Sequence, residues 1–334
     1  MSFAIFSQET PWKKGGIGRV LKEHLRRLNP TEVFCVDQNP EEVGKLGKVT
    51  VFRAYNRIYL FSPKLLFVPK QKKILAHGFT TFIPLVAVLK TENLYLIPHY
   101  HPIGSTAFIR LIRPIYDKSI GKFILHKAKK IFCVSEFERE HLIKNFNLDS
   151  KKLITVYNGV DLERFKNAKA YPSKKKIILY VGRLEKYKNV QLLIRAMEFL
   201  PDFKLVIIGN GSYKQELEKI SQNKPIVILS SLNDTEVARW FKTCAIFVTL
   251  SSIEAFGITV IEALASGQPV LVNKATSLLE FTRFKQVKGV DIKSLKLEDL
   301  AKIIDMHSKI KIEDLDLSQF EWDLITDVIK KEMD

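Results

Sequence analysis

The sequence has few cysteines and no long apolar run. Its three cysteines, Cys35, Cys133 and Cys244, are far apart, and each lies in or beside an apolar run typical of a strand. This placement predicts reduced, buried thiols and argues against a disulfide or a metal site. The longest mostly apolar run, residues 82–89, is far below the roughly 20 residues that span a bilayer. The first, residues 3–6, is too short for a secretory signal, so we expect a soluble, cytoplasmic chain.

Acidic residues are scarce in the N-terminal half. Residues 1–165 hold 27 lysines and arginines against 14 aspartates and glutamates, a net charge of +13, whereas residues 166–334 hold 26 against 22, a net charge of +4. The asymmetry favours an anionic partner: nucleic acid, a phospholipid surface or a phosphorylated substrate. The alternatives are a proteome that is rich in lysine or the charged surface of a thermophile's protein. No zinc-finger spacing or aromatic ribonucleoprotein motif is present, which argues against nucleic acid.

The chain is long enough for two domains, at 334 residues. Short apolar runs alternate with helical patterns in both halves, which predicts an α/β protein with parallel, doubly wound sheets. A polar, proline-containing stretch at residues 169–176 marks the boundary. We expect an N-terminal domain at residues 1–168, a C-terminal domain at residues 169–316, and a terminal helix at about residues 317–333 that packs back on the first domain.

Two features of the first half indicate ligand binding. A glycine-rich turn with Gly15 and Gly16 follows the first predicted strand and opens a helix, a layout that suits a phosphate, although the third glycine of the dinucleotide fingerprint is missing. Three histidines, His77, His99 and His101, lie at or just past predicted strand ends. Ligand sites of open α/β sheets gather at such ends. A zinc site would lack further ligands at the usual spacing.

Apolar and basic side chains are interleaved between residues 108 and 130. This segment is suited to an anionic membrane surface. Pro114 and Gly121 interrupt the segment, so partial burial against the core is the alternative, and the sequence leaves both open.

Polar groups and glycines follow three predicted strands of the second half. They are Arg183 and Lys188 after the strand at 177–182, Gly209 and Gly211 after the strand at 204–209, and Glu254 and Glu262 after the strand at 246–250. A guanidinium and an ammonium at one strand end suit a diphosphate, and glycines allow a backbone to approach a ligand. The two carboxylates bracket a helix start, which itself favours an anion. We therefore expect a nucleotide-diphosphate site at this edge of the sheet.

Several motifs occur in a defined order along the chain. They are GGIGR (15–19), the strand-end histidine, VSEFERE (134–140), VYNGVDLERF (156–165), VGRLEKYKNVQLLIRA (181–196), IIGNGSYKQELE (207–218) and EAFGITVIEALASGQPVL (254–271). In this order they resemble the retaining glycosyltransferases of the GT-B fold, family 4 (group 1) type. The resemblance extends over essentially the whole chain, and its E-x7-E pattern is highly specific in this context. It implies two Rossmann-like domains facing across a cleft.

The resemblance also implies a role for the charged residues. Arg183 and Lys188 would hold the donor diphosphate and stabilise charge on the leaving nucleotide. Glu254 would lie near the donor sugar, and Glu262 would bind the ribose hydroxyls.

Backbone groups at two loops complete the implied site. Phe256, Gly257 and Ile258 would present amides to the sugar and the phosphate. Gly15 and Gly16 would face the donor phosphate and the acceptor.

One assignment stays open, and two positions depart from the family pattern. Either His99 or His101 would lie near the sugar, with His99 the better match because it follows its strand more directly. Ala255 stands where glycine is common, and a glycine-rich loop after residue 272 is replaced by a run that contains Glu280. The far wall of the donor pocket, and with it the sugar specificity, is therefore undetermined.

The implied activity is transfer of a sugar from a nucleotide-diphosphate sugar to a hydroxyl of a glycan, a lipid-linked acceptor or a small polyol. The reaction would be retaining and would need no metal or other cofactor. The basic first half could also bring the enzyme to the cytosolic face of a membrane as a peripheral protein. The alternatives are another GT-B nucleotide-sugar enzyme, such as a sugar-phosphate synthase, and a basic nucleic-acid-binding protein.

Overall fold

The computed structural model describes residues 2–13, 15–39, 43–55, 60–102, 107–310 and 312–334. The chain divides into two compact units, Met1–Gly159 with Trp322–Asp334, and Val160–Glu321. Each unit has its own mainly or wholly parallel sheet and its own apolar core. The predicted α/β class with two doubly wound sheets is confirmed.

The first unit is built on an eight-stranded sheet. Its strands are β1 (Ala4–Ser7), β2 (Glu32–Asp37), β3 (Gly44–Leu46), β4 (Val49–Arg53), β5 (Ile74–His77), β6 (Leu94–Ile97), β7 (Lys130–Cys133) and β8 (Leu153–Thr155). They are ordered β3-β4-β2-β1-β5-β6-β7-β8, and among the described residues the β3–β4 pair is antiparallel and the other pairs are parallel. Strands β1, β5 and β6 are buried along their whole length, as strands covered on both faces are. Strands β2 to β4 lie on one side of β1, and strands β5 to β8 lie on the other side, so the strand order reverses between β1 and β5. Sheets of this kind bind ligands at such a reversal.

Five helices connect these strands. They are α1 (Gly16–Leu28), α2 (Phe82–Lys90), α3 (Ala107–Tyr116), α4 (Lys122–Lys127) and α5 (Glu136–Phe146). A π-helical turn, Asp117–Gly121, joins α3 to α4. Helix α5 begins after Ser135, whose hydroxyl accepts a hydrogen bond from the Glu138 amide at 3.0 Å. Among the described residues, none of the helices has both the length and the apolar character needed to cross a membrane.

The second unit is built on a six-stranded sheet that is parallel throughout. Its elements in chain order are α6 (Leu162–Lys166), β9 (Lys176–Val181), α7 (Val190–Ala196), β10 (Phe203–Ile208), α8 (Lys214–Ile220), β11 (Ile226–Leu229), α9 (Asp234–Thr243), β12 (Ile246–Thr249), α10 (Ile258–Ala265), β13 (Val270–Asn273), β14 (Val287–Val290) and α11 (Leu297–His307). The strand order is β11-β10-β9-β12-β13-β14. The switch point therefore lies between β9 and β12. Helix α6 packs against α9 and α10, so it belongs to this unit.

The last helix, α12 (Trp322–Met333), belongs to the first unit and packs on α1. The Trp322 ring meets the His24 ring edge to face, with centroids 6.0 Å apart. Asp323 accepts a hydrogen bond from Arg27 Nε at 2.7 Å. A side chain at Gly159 would overlap the Trp322 ring, which explains the glycine there.

All three cysteines are buried and free, as the sequence predicts. Burial raises the pKa of the Cys35, Cys133 and Cys244 thiols, so they stay protonated at neutral pH.

Candidate active site

The loops that follow β9 and β12 are tied together at the switch point of the second sheet. Asn189 adopts a left-handed conformation with φ 57°, and its side-chain amide donates to the Leu250 carbonyl at 2.8 Å and to Ser252 Oγ at 2.7 Å. The Ser252 amide donates to the Tyr187 carbonyl at 2.9 Å. These bonds fix the position of one strand-end loop relative to the other.

Lys188 and Glu254 form an ion pair across these two loops. Lys188 Nζ lies 2.6 Å from Glu254 Oε2, and the two side chains are 12% and 25% exposed. The ammonium also lies 5.4 Å from the centroid of the Tyr187 ring. The ammonium and the carboxylate are thus held next to each other, and both side chains remain partly exposed and accessible to a ligand.

Arg183 lies on the same loop as Lys188 and is exposed to solvent. Its Nη2 donates to the Tyr187 hydroxyl at 2.9 Å. Tyr187 therefore lies between the two cations of this loop, in contact with the guanidinium through its hydroxyl and near the ammonium through its ring. Arginine and lysine held close together in this way suit a diphosphate.

Gly209 and Gly211 approach the chain's own backbone. A Cβ on Gly209 would overlap the Gly182 carbonyl, and one on Gly211 would overlap the backbone of Leu184. The Leu184 amide donates to the Asn210 carbonyl at 2.9 Å, which joins the loop after β10 to the loop after β9. The sequence predicted that these glycines let the backbone approach a ligand. The structure shows that packing between the loops after β9 and β10 already requires both glycines.

The start of α10 lies directly after Glu254. Gly257 precedes the helix with φ 112°, and a Cβ there would overlap the Leu278 side chain. Ser277 Oγ donates to the Glu254 and Phe256 carbonyls at 2.9 and 3.2 Å, which holds the turn in place. The first amides of a helix have no intrahelical acceptor, so this helix start is suited to negative charge.

Side chains on either side of this helix start are buried. The Phe256 ring packs in the core against Phe281 and Phe320, with centroids 5.3 and 6.1 Å away, so its backbone is the part available to a ligand. Ile258 is the first residue of α10, and Glu262 follows one turn later with 1% of its surface exposed. The structure thus pairs Lys188 with Glu254 and buries the Glu262 side chain on α10.

The glycine-rich turn of the first unit has a carboxylate beside it. Gly15 precedes α1, and Glu9 Oε2 accepts a hydrogen bond from the Gly18 amide at 3.0 Å. Gly16 is exposed, and a Cβ there would meet no atom within 4 Å. Glu9 was missed by sequence reasoning, because its position just after β1 is the sole signal. The carboxylate lies where a phosphate would otherwise meet this helix start.

His77 and His99 come together in the first unit with a third histidine that sequence reasoning missed. His77 ends β5, and its Nδ1 lies 3.5 Å from His99 Nε2. On its other side, His77 Nε2 lies 3.2 Å from Nδ1 of His24 on α1. Helical periodicity does place His24 on the buried face of α1, which was the available signal. The carbonyl of His101 accepts a hydrogen bond from Arg113 Nη2 at 3.2 Å.

Burial sets the charge of these three rings. It lowers the pKa of His24 to about 3, with a further contribution from His99, and it lowers the pKa of His99 to about 4. The pKa of His77 is also held well below its usual range, by burial and by the neighbouring His24 and His99. All three imidazoles are therefore neutral at pH 7. The described residues contain no group of three or more histidines, cysteines or carboxylates placed to hold a metal ion.

The comparison with protein families decides the class of the chain. Residues 161–318 match the family model described as "Glycosyl transferases group 1", and residues 14–164 match the one described as "Glycosyltransferase Family 4". The chain belongs to these glycosyltransferases. The predicted resemblance is confirmed, and the two matches together extend from residue 14 to residue 318 of this glycosyltransferase.

Curated relatives agree with this assignment over part of their length. The glycosyltransferase is 30% identical over 204 residues to sulfoquinovosyl transferase SQD2 of Arabidopsis thaliana, which is 58% of this chain and 38% of that protein. It is 33% identical over 172 residues to the N-acetylgalactosamine-N,N'-diacetylbacillosaminyl-diphospho-undecaprenol 4-alpha-N-acetylgalactosaminyltransferase of Campylobacter jejuni, which is 48% of this chain and 47% of that protein. The matches thus span less than half the length of these relatives.

Solved structures share the fold over the whole chain. Sucrose-phosphate synthase from Thermosynechococcus elongatus superposes with a TM-score of 0.73 at 16% sequence identity, covering 99% of this glycosyltransferase and 97% of that protein. At this identity the likeness concerns the fold, and it confirms the predicted GT-B class.

Proposed function

We propose that this protein transfers a sugar from a nucleotide-diphosphate sugar to a hydroxyl acceptor, with retention at the anomeric carbon and without a metal or other cofactor. The observation that carries the proposal is the Lys188–Glu254 ion pair, which lies at the switch point of the second sheet and directly before the start of α10. A switch point is the site where such sheets bind nucleotides.

In the proposed donor site, different groups bind different parts of the donor. Arg183, Lys188 and the start of α10 bind the diphosphate, because all three favour an anion. Glu254 faces the sugar, and Glu262 in the buried part of α10 binds the ribose hydroxyls. Gly209 and Gly211 support this site through the packing of their loop on the loop that carries Arg183 and Lys188.

The proposed reaction breaks the bond between the anomeric carbon and the diphosphate. The electron pair leaves with the nucleotide, and Arg183 and Lys188 stabilise the negative charge that develops there. Glu254 stabilises positive charge on the sugar. The acceptor oxygen attacks the anomeric carbon on the face that the nucleotide leaves, and the hydroxyl proton passes to the departing phosphate. Retention follows from attack on that face.

In the first unit we propose that His99 and the backbone at Gly15 and Gly16 bind substrate. His99 is neutral because burial lowers its pKa, so it can exchange hydrogen bonds with sugar hydroxyls. The Glu9 carboxylate accepts a hydrogen bond from the Gly18 amide and carries negative charge, so it disfavours a phosphate and favours a neutral hydroxyl group at the Gly15 turn. His101 is the alternative to His99 as the histidine that meets the sugar.

A thermal-shift screen tests the donor. We expect diphosphates of one nucleoside, and the corresponding diphospho-sugars, to raise the melting temperature by several degrees at saturation, because a ligand of the native state stabilises it. The monophosphate is expected to give a smaller shift, since Arg183 and Lys188 are placed for a diphosphate. Absence of any shift with all common nucleoside diphosphates at millimolar concentration would contradict the proposed site.

The acceptor proposed for this chain is a hydroxyl of a glycan or of a lipid-linked sugar. Two observations support an anionic, lipid-linked acceptor: the net charge of +13 on residues 1–165, and the similarity to a relative whose name specifies a diphospho-undecaprenol substrate. The same charge also suits a phosphorylated sugar, which is the substrate class of a sugar-phosphate synthase. Product analysis with the two acceptor types, using the donor found in the thermal screen, distinguishes these activities.

We further propose that the α3–α4 surface docks on an anionic membrane. Leu111, Ile115, Ile120 and Phe123 expose 74%, 71%, 41% and 44% of their surfaces along α3, the π-helical turn and the start of α4. The exposed basic residues on this stretch are Arg110, Lys118, Lys122 and Lys127. Apolar side chains flanked by basic ones are typical of helices that lie in the plane of a membrane surface. Such docking would make the enzyme a peripheral protein on the cytosolic face.

Sedimentation with vesicles tests this surface. The protein is expected to sediment with vesicles of phosphatidylglycerol and phosphatidylcholine and to remain in solution with phosphatidylcholine alone. The double substitution Leu111→Ser and Ile115→Ser is expected to abolish most of the binding, because it removes two highly exposed apolar side chains of α3. Leu324→Ser is the matched control, since Leu324 is 52% exposed on α12. Equal binding to both kinds of vesicle, or binding unaffected by the double substitution, would contradict the proposal.

A further inference from the structure

Three histidine rings form a continuous row from α1 to the end of β6. His24 Nδ1 lies 3.2 Å from His77 Nε2, and His77 Nδ1 lies 3.5 Å from His99 Nε2. The His77 ring is fully buried between the other two, with ring centroids 5.1 Å from His24 and 5.8 Å from His99. His24 is 2% exposed and is covered on a further side by Trp322. The row therefore begins in the core and ends at the partly exposed His99.

The backbone of His99 is held in an unusual conformation. Its φ of 50° lies in the left-handed region, which few non-glycine residues adopt, and it follows Pro98 directly after β6. A strained backbone at a strand end persists when surrounding contacts determine it. The nitrogen–nitrogen contact with His77 acts on the ring of this residue.

Neutral imidazoles in such a row must share one tautomer. Each ring carries one N–H, and each nitrogen–nitrogen contact needs one donor and one acceptor. If His77 donates from Nδ1 to His99, its Nε2 must accept from His24, so all three rings carry the proton on Nδ1. If His77 donates from Nε2 to His24, its Nδ1 accepts from His99, and all three carry it on Nε2. The Nδ1 of His99 is then a donor in the first case and an acceptor in the second.

We propose that His24 and His77 are positioning residues that fix the ring orientation and the tautomer of His99. The inference rests on the proposed function, in which His99 binds a sugar hydroxyl. A hydroxyl can donate or accept, so a fixed tautomer determines which hydrogen bond it makes and with it the orientation of the bound sugar. The low pKa values of the three rings support this role, because a charged ring would break the alternation of donors and acceptors.

Nitrogen-15 NMR of the full chain, labelled at histidine, tests the proposal. In the unmodified protein we expect His24, His77 and His99 to show the same neutral tautomer, and different tautomers among the three would overturn the proposal. His24→Phe keeps a ring against Trp322 but removes the nitrogen that contacts His77. We expect the His99 resonances to shift or to report a mixture of tautomers, and the kcat/KM for sugar transfer to fall roughly tenfold, as for the loss of one hydrogen bond.

Two further variants separate a positioning role from a structural one. His24→Asn retains a polar atom near the position of Nδ1 and is expected to restore the single tautomer of His99. His141→Phe is the control, because His141 bonds within α5 to the Phe137 carbonyl and has no contact with the row of rings. Unchanged His99 resonances in folded His24→Phe would overturn the proposal. If that variant does not fold, the tautomers of the unmodified protein decide.

The NMR measurement also separates this inference from the proposed function. The tautomers are measured without a substrate, so this measurement tests whether the three rings share one tautomer independently of the proposed function. If the three agree but the His99 resonances do not respond to a sugar nucleotide that stabilises the protein, the role of His99 in substrate binding is wrong and the coupling of the rings is right.

Discussion

Replacing Lys188 with alanine is expected to lower kcat/KM for sugar transfer by about 10²- to 10³-fold, the usual cost of removing one group that stabilises developing negative charge. The loss follows from geometry, because the ammonium is fixed 2.6 Å from Glu254, which lies four residues before the first residue of α10. Affinity for the nucleoside diphosphate is expected to fall as well, since the same charge binds the ground state. Calorimetric titration and steady-state kinetics measure the two effects.

The control for this substitution is Lys186→Ala. Lys186 lies on the same short 3-10 turn, Lys186–Lys188, and is exposed. Turnover near that of the unmodified protein is expected for this variant. Both variants are expected to remain folded, because the bonds that Asn189 makes to Leu250 and Ser252 hold the loop independently of either lysine. Turnover of folded Lys188→Ala close to that of the control would rule out the proposed site.

Glu254→Gln is expected to lower kcat by about 10²-fold or more while leaving nucleoside diphosphate affinity unchanged or slightly higher. The amide keeps the shape of the carboxylate but loses the charge that stabilises a positive sugar in the transition state. It also removes a negative charge from beside the diphosphate, and this favours ground-state binding. A fall in kcat without a loss of affinity is the signature of an interaction made in the transition state.

The two variants are expected to differ in their affinity for the nucleoside diphosphate, and this difference makes the assignment of roles specific. Lys188→Ala weakens nucleotide binding and turnover together, whereas Glu254→Gln affects turnover alone. Glu216→Gln on α8 serves as the control, since Glu216 is exposed and pairs with Lys219 at 4.0 Å. A parallel loss of nucleotide affinity in Glu254→Gln would show that Glu254 helps to bind the nucleotide, and the proposed division of roles would then be wrong.

Several features followed from sequence alone because their causes are local. Apolar runs of strand length, alternating with helical periodicity, predicted two doubly wound sheets, and the structure has them. The family was also predictable, because the spacing of Glu254 and Glu262 around a helix start is a property of one continuous segment. The buried thiols were predictable from the apolar runs that surround them.

Other features depended on contacts between distant segments. The sequence assigned Gly209 and Gly211 to the approach of a ligand, and the proximity of Gly182 and Leu184 shows that packing between the two loops needs them. Glu9 had no motif, because its position depends on a hydrogen bond from the Gly18 amide, which lies nine residues later in the first turn of α1. The sequence pattern indicates only that His24 lies on the buried face of α1, and the tertiary structure brings it into contact with His77.

The amino-acid sequence by itself determined the fold class, the family and the residue types of the proposed donor site, since each follows from short segments whose periodicity and spacing are visible in the sequence. Tertiary structure alone decided which of those residues meet. Lys188 and Glu254 are 66 positions apart and come within 2.6 Å because β9 and β12 are neighbours in the sheet. The order of strands in a sheet is set by packing over the whole domain, and no single segment encodes it.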